Sequence, residues 1–345
     1  MKKQNTTYYI CLFVAGIIFS SCAKDPKIIV EPDAYVLNVP SGFALPNIPD
    51  DNPLTAAKIA LGKKLFYEKA LSVDSTISCG TCHKQELAFS DNVAVTAGVE
   101  GRLGFRNAPT LTNIAWATEM LMDGGNPTLE TQVYVPIETH FEMDFNMVLL
   151  VNRLNADAEY VDAFNNVFGS NPDPFGITRA LAAFERTIIS GNSRFDQYYY
   201  QGKTEVLNEQ EINGMQLFFS PTLKCASCHT GYLFTDFTYQ NNGFFADYSA
   251  DSGRARITLL SEDVGKFKVP TLRNIALTGP YMHNGQINSL EEIIDSYSNG
   301  GSGHINQSEL IQGFVLTAQE KENLILFLNT LTDNQFIHNP DLGED

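Results

Sequence analysis

Two five-residue segments constrain this chain more than anything else in it: Cys79-Gly80-Thr81-Cys82-His83 and Cys225-Ala226-Ser227-Cys228-His229. Two thiols at CxxC spacing can bond the two vinyl groups of one haem, and the adjacent histidine then reaches the iron. Four cysteines in an exported chain could instead build a disulfide framework, and CxxC pairs also serve zinc or redox chemistry. A histidine directly after both pairs favours covalent haem, twice over, with Cys79, Cys82, Cys225 and Cys228 as attachment points and His83 and His229 as axial ligands. The remaining cysteines of the six, Cys11 and Cys22, lie at the N-terminus.

Export is read from that terminus. Lys2 and Lys3 precede a mostly apolar run, Tyr8 to Phe19, which is too short to span a bilayer. Ser20, Ser21 and Cys22 follow, the order of a secretory signal ending in small residues before a cysteine. Residues 1–21 therefore read as a lipoprotein signal, with Cys22 as the lipidated residue; an ordinary signal peptide with a chance cysteine is the plainer alternative. Residues 22–50 read as a tether, because 23–50 hold five prolines. The expected location is the periplasmic side of a membrane, held by lipid alone. Removing residues 1–21 leaves 324 residues and moves the formal charge from −17 to −19. Such an acidic chain repels nucleic acid and anionic lipid and attracts basic partners.

The segments around each CxxCH match in order. Gly62-Lys-Lys-Leu65-Phe66 corresponds to Gly214-Met-Gln-Leu217-Phe218, and Phe89-Ser90-Asp91 to Phe234-Thr235-Asp236. Pro109-Thr110-Leu111-Thr-Asn113 is echoed by Pro270-Thr271-Leu272-Arg-Asn274, and Met122-Asp-Gly-Gly by Met282-His-Asn-Gly. The spacing drifts from 146 residues at the cysteines to 161 at the Pro-Thr-Leu motif. Conserved order with drifting spacing implies duplication with loop changes, since a solenoid repeats every ~20–50 residues. Apolar spacing predicts helices over 147–154, 158–168, 177–189 and 317–331, the last with a Thr317/Glu320 capping box. The expected fold is mainly α: two cytochrome-c-like haem domains, 51–205 and 206–331, joined by a polar connection near 200–210 and followed by a tail, 332–345.

At these motifs the chain resembles the bacterial di-haem cytochrome c peroxidase family, including its MauG branch, from about Pro53 to about Leu331. The resemblance rests on both CxxCH motifs, Arg106-Asn107-Ala108-Pro109-Thr110, Ala182-Ala183-Phe184-Glu185-Arg186, Ser193-Arg194-Phe195-Asp196, Lys268-Val269-Pro270-Thr271-Leu272-Arg273-Asn274 and Pro280-Tyr281-Met282-His283-Asn284-Gly285. It implies that the N-terminal haem meets peroxide while the C-terminal haem passes electrons. It implies Glu142 as the catalytic glutamate and Gln132 as its support. It also implies a calcium ion held by the Asn107 side chain and the carbonyls of Thr278 and Pro280, oxygen donors that suit a hard cation. Without the resemblance, Glu142 is simply a charge on a loop.

Three departures from the family pattern bear on function. Some members carry a distal histidine near the position of Val99; no histidine lies between His83 and His140 here, so the peroxide-side iron is expected to be open, with His140 the nearby alternative ligand. Opposite His229, alignment from Leu290 places Tyr297 where better-known peroxidases have methionine and MauG has tyrosine; Met282 is the rival ligand. A family tryptophan between the haems is replaced by Met122, leaving Trp116 and His283 as candidates for the inter-haem path, although Trp116 is equally a core residue. The leading expectation is an enzyme that reduces hydrogen peroxide with electrons from a small donor protein of cytochrome or cupredoxin type. The alternatives are a MauG-like oxidase that withdraws electrons from a partner protein through high-valent haem, and a non-catalytic di-haem electron carrier.

Overall fold

The structure is a computed structural model that describes residues 34–344. The signal segment, Cys22 and the first part of the expected tether lie outside the described residues. The described chain is mainly helical, with one two-stranded antiparallel ribbon that pairs Tyr239 with Lys268 and Gln240 with Phe267. Among the described residues no helix is long and apolar enough to cross a membrane.

Two helix pairs organise the two cores. In the first, Ala56–Tyr67 packs on Pro174–Glu185. Leu61, Leu65 and Phe66 from one helix meet Ile177, Leu181 and Phe184 from the other in a single buried cluster. Gly62 lets the backbones touch, because a Cβ there would overlap the Ala180 carbonyl. In the second, Glu209–Phe218 packs on Ala318–Asn329, and a Cβ on Gly214 would overlap the Asn323 carbonyl in the same way. Phe218, Leu324, Phe327 and Leu328 belong to this second cluster.

Helix ends follow local chemistry. Asp173 caps the helix that begins at Pro174, since proline at the first position loses no needed N–H. That start explains why the expected 177–189 helix lies earlier, at Pro174–Glu185, with Ile188 buried beyond its end. The helices Met147–Asn155 and Ala158–Phe168 match their expected spans closely. The Thr317/Glu320 capping box forms, and its helix ends at Asn329.

Polar ties link distant motifs. Arg273, fully buried, donates two 2.8 Å hydrogen bonds to the Asp196 carboxylate. The Asn113 amide donates to the Ser190 carbonyl, and the Asn274 amide to the Ser190 hydroxyl. Both asparagines adopt φ of 60°, a left-handed conformation that asparagine tolerates better than most residues.

Two expectations about the chain ends need correction. Within the expected C-terminal tail the described residues, 332–344, are docked: Phe336 and Leu342 are buried in the first core, and Asp333 accepts hydrogen bonds from Ser190, Gly191 and Asn192. The described part of the tether is docked as well. Phe43 packs against Trp116, Tyr200 and Tyr232 and lies under the Arg273 guanidinium. Aromatic burial holds this proline-containing segment down, which proline content alone does not reveal.

Candidate haem and peroxide sites

Cys79–Cys82 forms one helical turn capped by Ser78, so both thiols lie on a fixed frame. All four cysteines of the described chain are free and half-buried. Burial pushes the Cys82 thiol up to about 12 and Cys225 up to about 11, and raises Cys79 and Cys228 too. These are neutral thiols without disulfide partners.

His83 and His229 are oriented alike. His83 Nδ1 lies 2.9 Å from the Phe89 carbonyl, and His229 Nδ1 lies 3.1 Å from the Phe234 carbonyl. A carbonyl only accepts, so Nδ1 carries the proton and Nε2 keeps its lone pair for a metal. Phe89 and Phe234 adopt φ of 58° and 53°, turning these carbonyls back toward the rings. The carbonyls of Pro109 and Pro270, from the repeated Pro-Thr-Leu motif, also contact the imidazoles. Burial lowers both histidine pKa values, which keeps the rings neutral. Paired thiols, a neutral imidazole and an oriented free nitrogen form the donor set for one covalent haem, present twice.

Glu142 stands over the first set. Burial is what chiefly raises Cys79 and Cys82, and the negative field of Glu142 adds to both, so the carboxyl lies near the thiols. Burial alone pushes its pKa up to about 7. Its loop is locked by the Val99 N–H donating to the Glu142 carbonyl at 2.9 Å. A Cβ on Gly98 would collide with the Phe141 and Glu142 backbone, so glycine is what allows this approach. Val99 itself is fully buried. His140 is three-quarters exposed and lies 3.2 Å from Asp144, which also pairs with Arg102, so its ring is engaged at the surface of the loop. Gln132 accepts a 3.0 Å hydrogen bond from Asn126, and among the described residues no hydrogen bond joins it to Glu142.

Glu185 is a functional candidate that sequence reasoning passed over. Burial pushes its pKa up to about 8, and its field raises Cys79. Its sequence signals are its place in the Ala182-Ala183-Phe184-Glu185-Arg186 motif and its position at the end of an otherwise apolar helix face.

At the second set, Tyr297 is half-buried, with its ring edge-to-face on Phe244 at 5.6 Å. Burial pushes its hydroxyl up to about 12, and the nearby Cys225 and Cys228 add to the rise. Met282, the rival, is close by: its Sδ accepts a 3.3 Å hydrogen bond from Asn242, which is also the side-chain hydrogen-bond partner of Tyr297.

Among the residues expected on the inter-haem path, Met122 accepts at its carbonyl from the Lys268 N–H at 2.7 Å. Asp123 is fully buried and accepts from Arg106 and Arg256. His283 stacks on Phe267 at 4.1 Å, and burial lowers its pKa. Trp116 is half-buried against Phe43 and Tyr232, with its indole N–H on the Ala44 carbonyl at 2.9 Å. Of the oxygens expected to hold calcium, those of Asn107 and Pro280 lie beside one cavity. The Asn107 amide nitrogen is used on the Val93 and Ala94 carbonyls, which leaves its oxygen as the free donor. Val93, Ala94 and Pro280 line one cavity of about 370 Å³. Thr278 lies two residues before Pro280 in the same turn.

Comparison with known proteins settles the class. The sequence profile of di-haem cytochrome c peroxidase matches residues 56–205. The methylamine utilization protein MauG of Methylorubrum extorquens is 36% identical over 82% of this chain and 80% of its own length. The chain belongs to the di-haem cytochrome c peroxidase family. Cytochrome-c peroxidase IdrP1 of a Pseudomonas species is 35% identical over 83% of each chain. A solved MauG-like protein associated with microbial copper homeostasis superposes with a TM-score of 0.85 at 35% identity, covering 90% of this chain and 99% of that one. Membership makes the chain an oxidoreductase with two haem cofactors, and the paired donor sets fit them. Relatives carry both peroxidase and MauG names.

Proposed function

We propose that the chain reduces hydrogen peroxide to water at the N-terminal haem, with electrons delivered through the C-terminal haem by a small redox protein. The observation that carries this reading is Glu142: a half-buried carboxyl near Cys79 and Cys82 whose pKa desolvation pushes up to about 7. The haem supplies the electron transfer and the open coordination position. The carboxylate takes a proton from the near oxygen of peroxide and returns it to the departing oxygen. Two electrons and two protons then balance one peroxide against two waters. A group split between its two forms near neutrality can do both halves of that work. The buried Val99 beside Glu142, where some relatives hold a distal histidine, supports a site open without prior reduction.

His83 and His229 would each hold one haem iron through the free Nε2, and Tyr297 would supply a further donor to the second iron. Residues 51–205 and 206–331 act as two haem units derived by duplication, a reading supported by the matching Gly62 and Gly214 contacts and the matching histidine supports. Calcium at Asn107, Thr278 and Pro280 braces the turn that carries Met282 and His283; neutral oxygen donors suit it. His283 stacked on Phe267 is the better-placed inter-haem candidate, with Met122 and Trp116 as the others. Export to the periplasmic side with lipid on Cys22 completes the reading.

Tyr297 favours a second reading, in which the electrons come from a partner protein as in a MauG-like oxidase. Anaerobic turnover separates the two. Consumption of two reduced one-electron donors per peroxide supports the peroxidase, whereas failure to oxidise any small cytochrome or cupredoxin, with peroxide still reacting, favours the oxidase.

A further inference from the structure

Residues 241–244, in the loop that leads out of the two-stranded ribbon, form a hydrogen-bonded platform against Met282 and Tyr297. Asn241 is buried and fully engaged. Its Oδ1 accepts from the Gly243 N–H at 2.9 Å and the Tyr248 hydroxyl at 3.0 Å, and its backbone carbonyl accepts from Ser308. Gly243 has φ of 72°, and its carbonyl accepts from the Ser302 N–H at 2.7 Å. The backbone of Asn242 is therefore fixed from both sides.

The Asn242 amide is fixed too. The Phe244 N–H donates to its Oδ1 at 3.3 Å, which decides which end of the amide is oxygen. The NH₂ end is left facing the two rival ligands: Met282 Sδ at 3.3 Å, and Tyr297 as hydrogen-bond partner. Phe244 closes the cluster with its ring edge-to-face on Tyr297. Met282 is restrained at its own backbone. It has φ of 73°, rare for a residue with a side chain, inside a turn pinned by Tyr281 N–H on Ile287 and Gly285 N–H on Met282.

We propose that Asn242 selects the sixth ligand of the second haem, holding the Met282 thioether on its amide while the Tyr297 oxygen is presented to the iron. This rests on the reading of Tyr297 as ligand. A thioether is a weak hydrogen-bond acceptor, so the contact is a directional restraint more than a strong bond. Its effect is geometric: the sulfur must leave Asn242 before it can ligate. The two ligands also prefer different iron states, phenolate the oxidised and thioether the reduced. Asn242 thereby acts as a positioning residue that keeps the second haem at low potential.

The test uses the holoprotein carrying both haems, with Asn242→Leu, Asn242→Ser, Met282→Leu and the Asn242→Leu/Met282→Leu pair. Readouts are the near-infrared thioether-to-iron band, EPR of the oxidised state, the midpoint potential of the second haem, and haem content. Wild type and Met282→Leu should both lack the thioether band. Asn242→Leu should gain it and shift the reduction equilibrium at least tenfold toward the reduced form, ~59 mV for one electron. The double variant should lose both changes. Asn242→Ser, which removes the amide with less steric demand, decides the matter if Asn242→Leu fails to load haem. Variants with wild-type band, EPR and potential would overturn the role of Asn242 and leave Tyr297 as ligand. A potential shift that survives in the double variant also overturns it, because methionine is then not the replacement. A thioether band in wild type overturns the Tyr297 reading itself.

Discussion

Replacing Glu142 by glutamine keeps the shape of the side chain and removes its ability to trade a proton. Burial moves this carboxyl from the ordinary 4.5 to about 7. An unshifted glutamate would hold its proton in only about one molecule in three hundred at pH 7, whereas Glu142 divides roughly equally between acid and base. Both halves of peroxide cleavage draw on that balance. General acid–base work of this kind is typically worth ~10²–10⁴-fold, or ~2.7–5.5 kcal/mol of barrier. Glu142→Gln should therefore keep two haems and bind peroxide, yet lose turnover by that factor. The pH profile carries the sign. The free enzyme needs the carboxylate to take the first proton, so kcat/KM of wild type should fall about tenfold per pH unit below about 7. The variant should be flat across the same range. The assay is steady-state peroxide consumption from about pH 5 to 8 with haem content checked for each sample. A variant within about threefold of wild type, or a wild-type profile flat through this window, would remove Glu142 from the mechanism.

Two further outcomes follow from the donor sets and the helix pairs. Cys79→Ala/Cys82→Ala and Cys225→Ala/Cys228→Ala should each lose one of two covalent haems in a pyridine haemochrome assay; two haems retained in either variant would contradict the attachment reading. Gly62→Ala and Gly214→Ala should each destabilise the protein by ~1–3 kcal/mol in thermal unfolding, because the new methyl overlaps the Ala180 or Asn323 carbonyl; an unchanged midpoint would show that the pairs can spread at no cost.

Much of this molecule is legible in its sequence where the signal is local. CxxCH spacing identifies both donor sets. Apolar periodicity finds Met147–Asn155 and Ala158–Phe168 almost to the residue. The Thr317/Glu320 box marks a helix start because capping is a contact three residues long. What the sequence hides is long-range. Nothing near Phe43 announces that it docks on Trp116 and Tyr232, and nothing near Phe336 announces that it joins a core built mainly from residues 61–188. Such contacts leave no period in the chain. Gly98 reads as a loop residue until the Glu142 backbone is seen against it. The roles of Glu185, although it stands in a quoted motif, and of Asn242 are hidden for a different reason: each takes its meaning from what burial and folding place beside it. Glu142 lies between these cases, since its position came from resemblance and its raised pKa only from burial.

The central claim is that the first haem site meets peroxide directly, with Val99 and Glu142 on its open side. Stopped-flow mixing of the fully oxidised holoprotein with hydrogen peroxide tests it, with EPR of the starting material. The account predicts a high-spin component before mixing and an immediate spectral reaction with no prior reduction. Low-spin haem alone, with reaction appearing only after partial reduction, would contradict it and show that another residue closes the site.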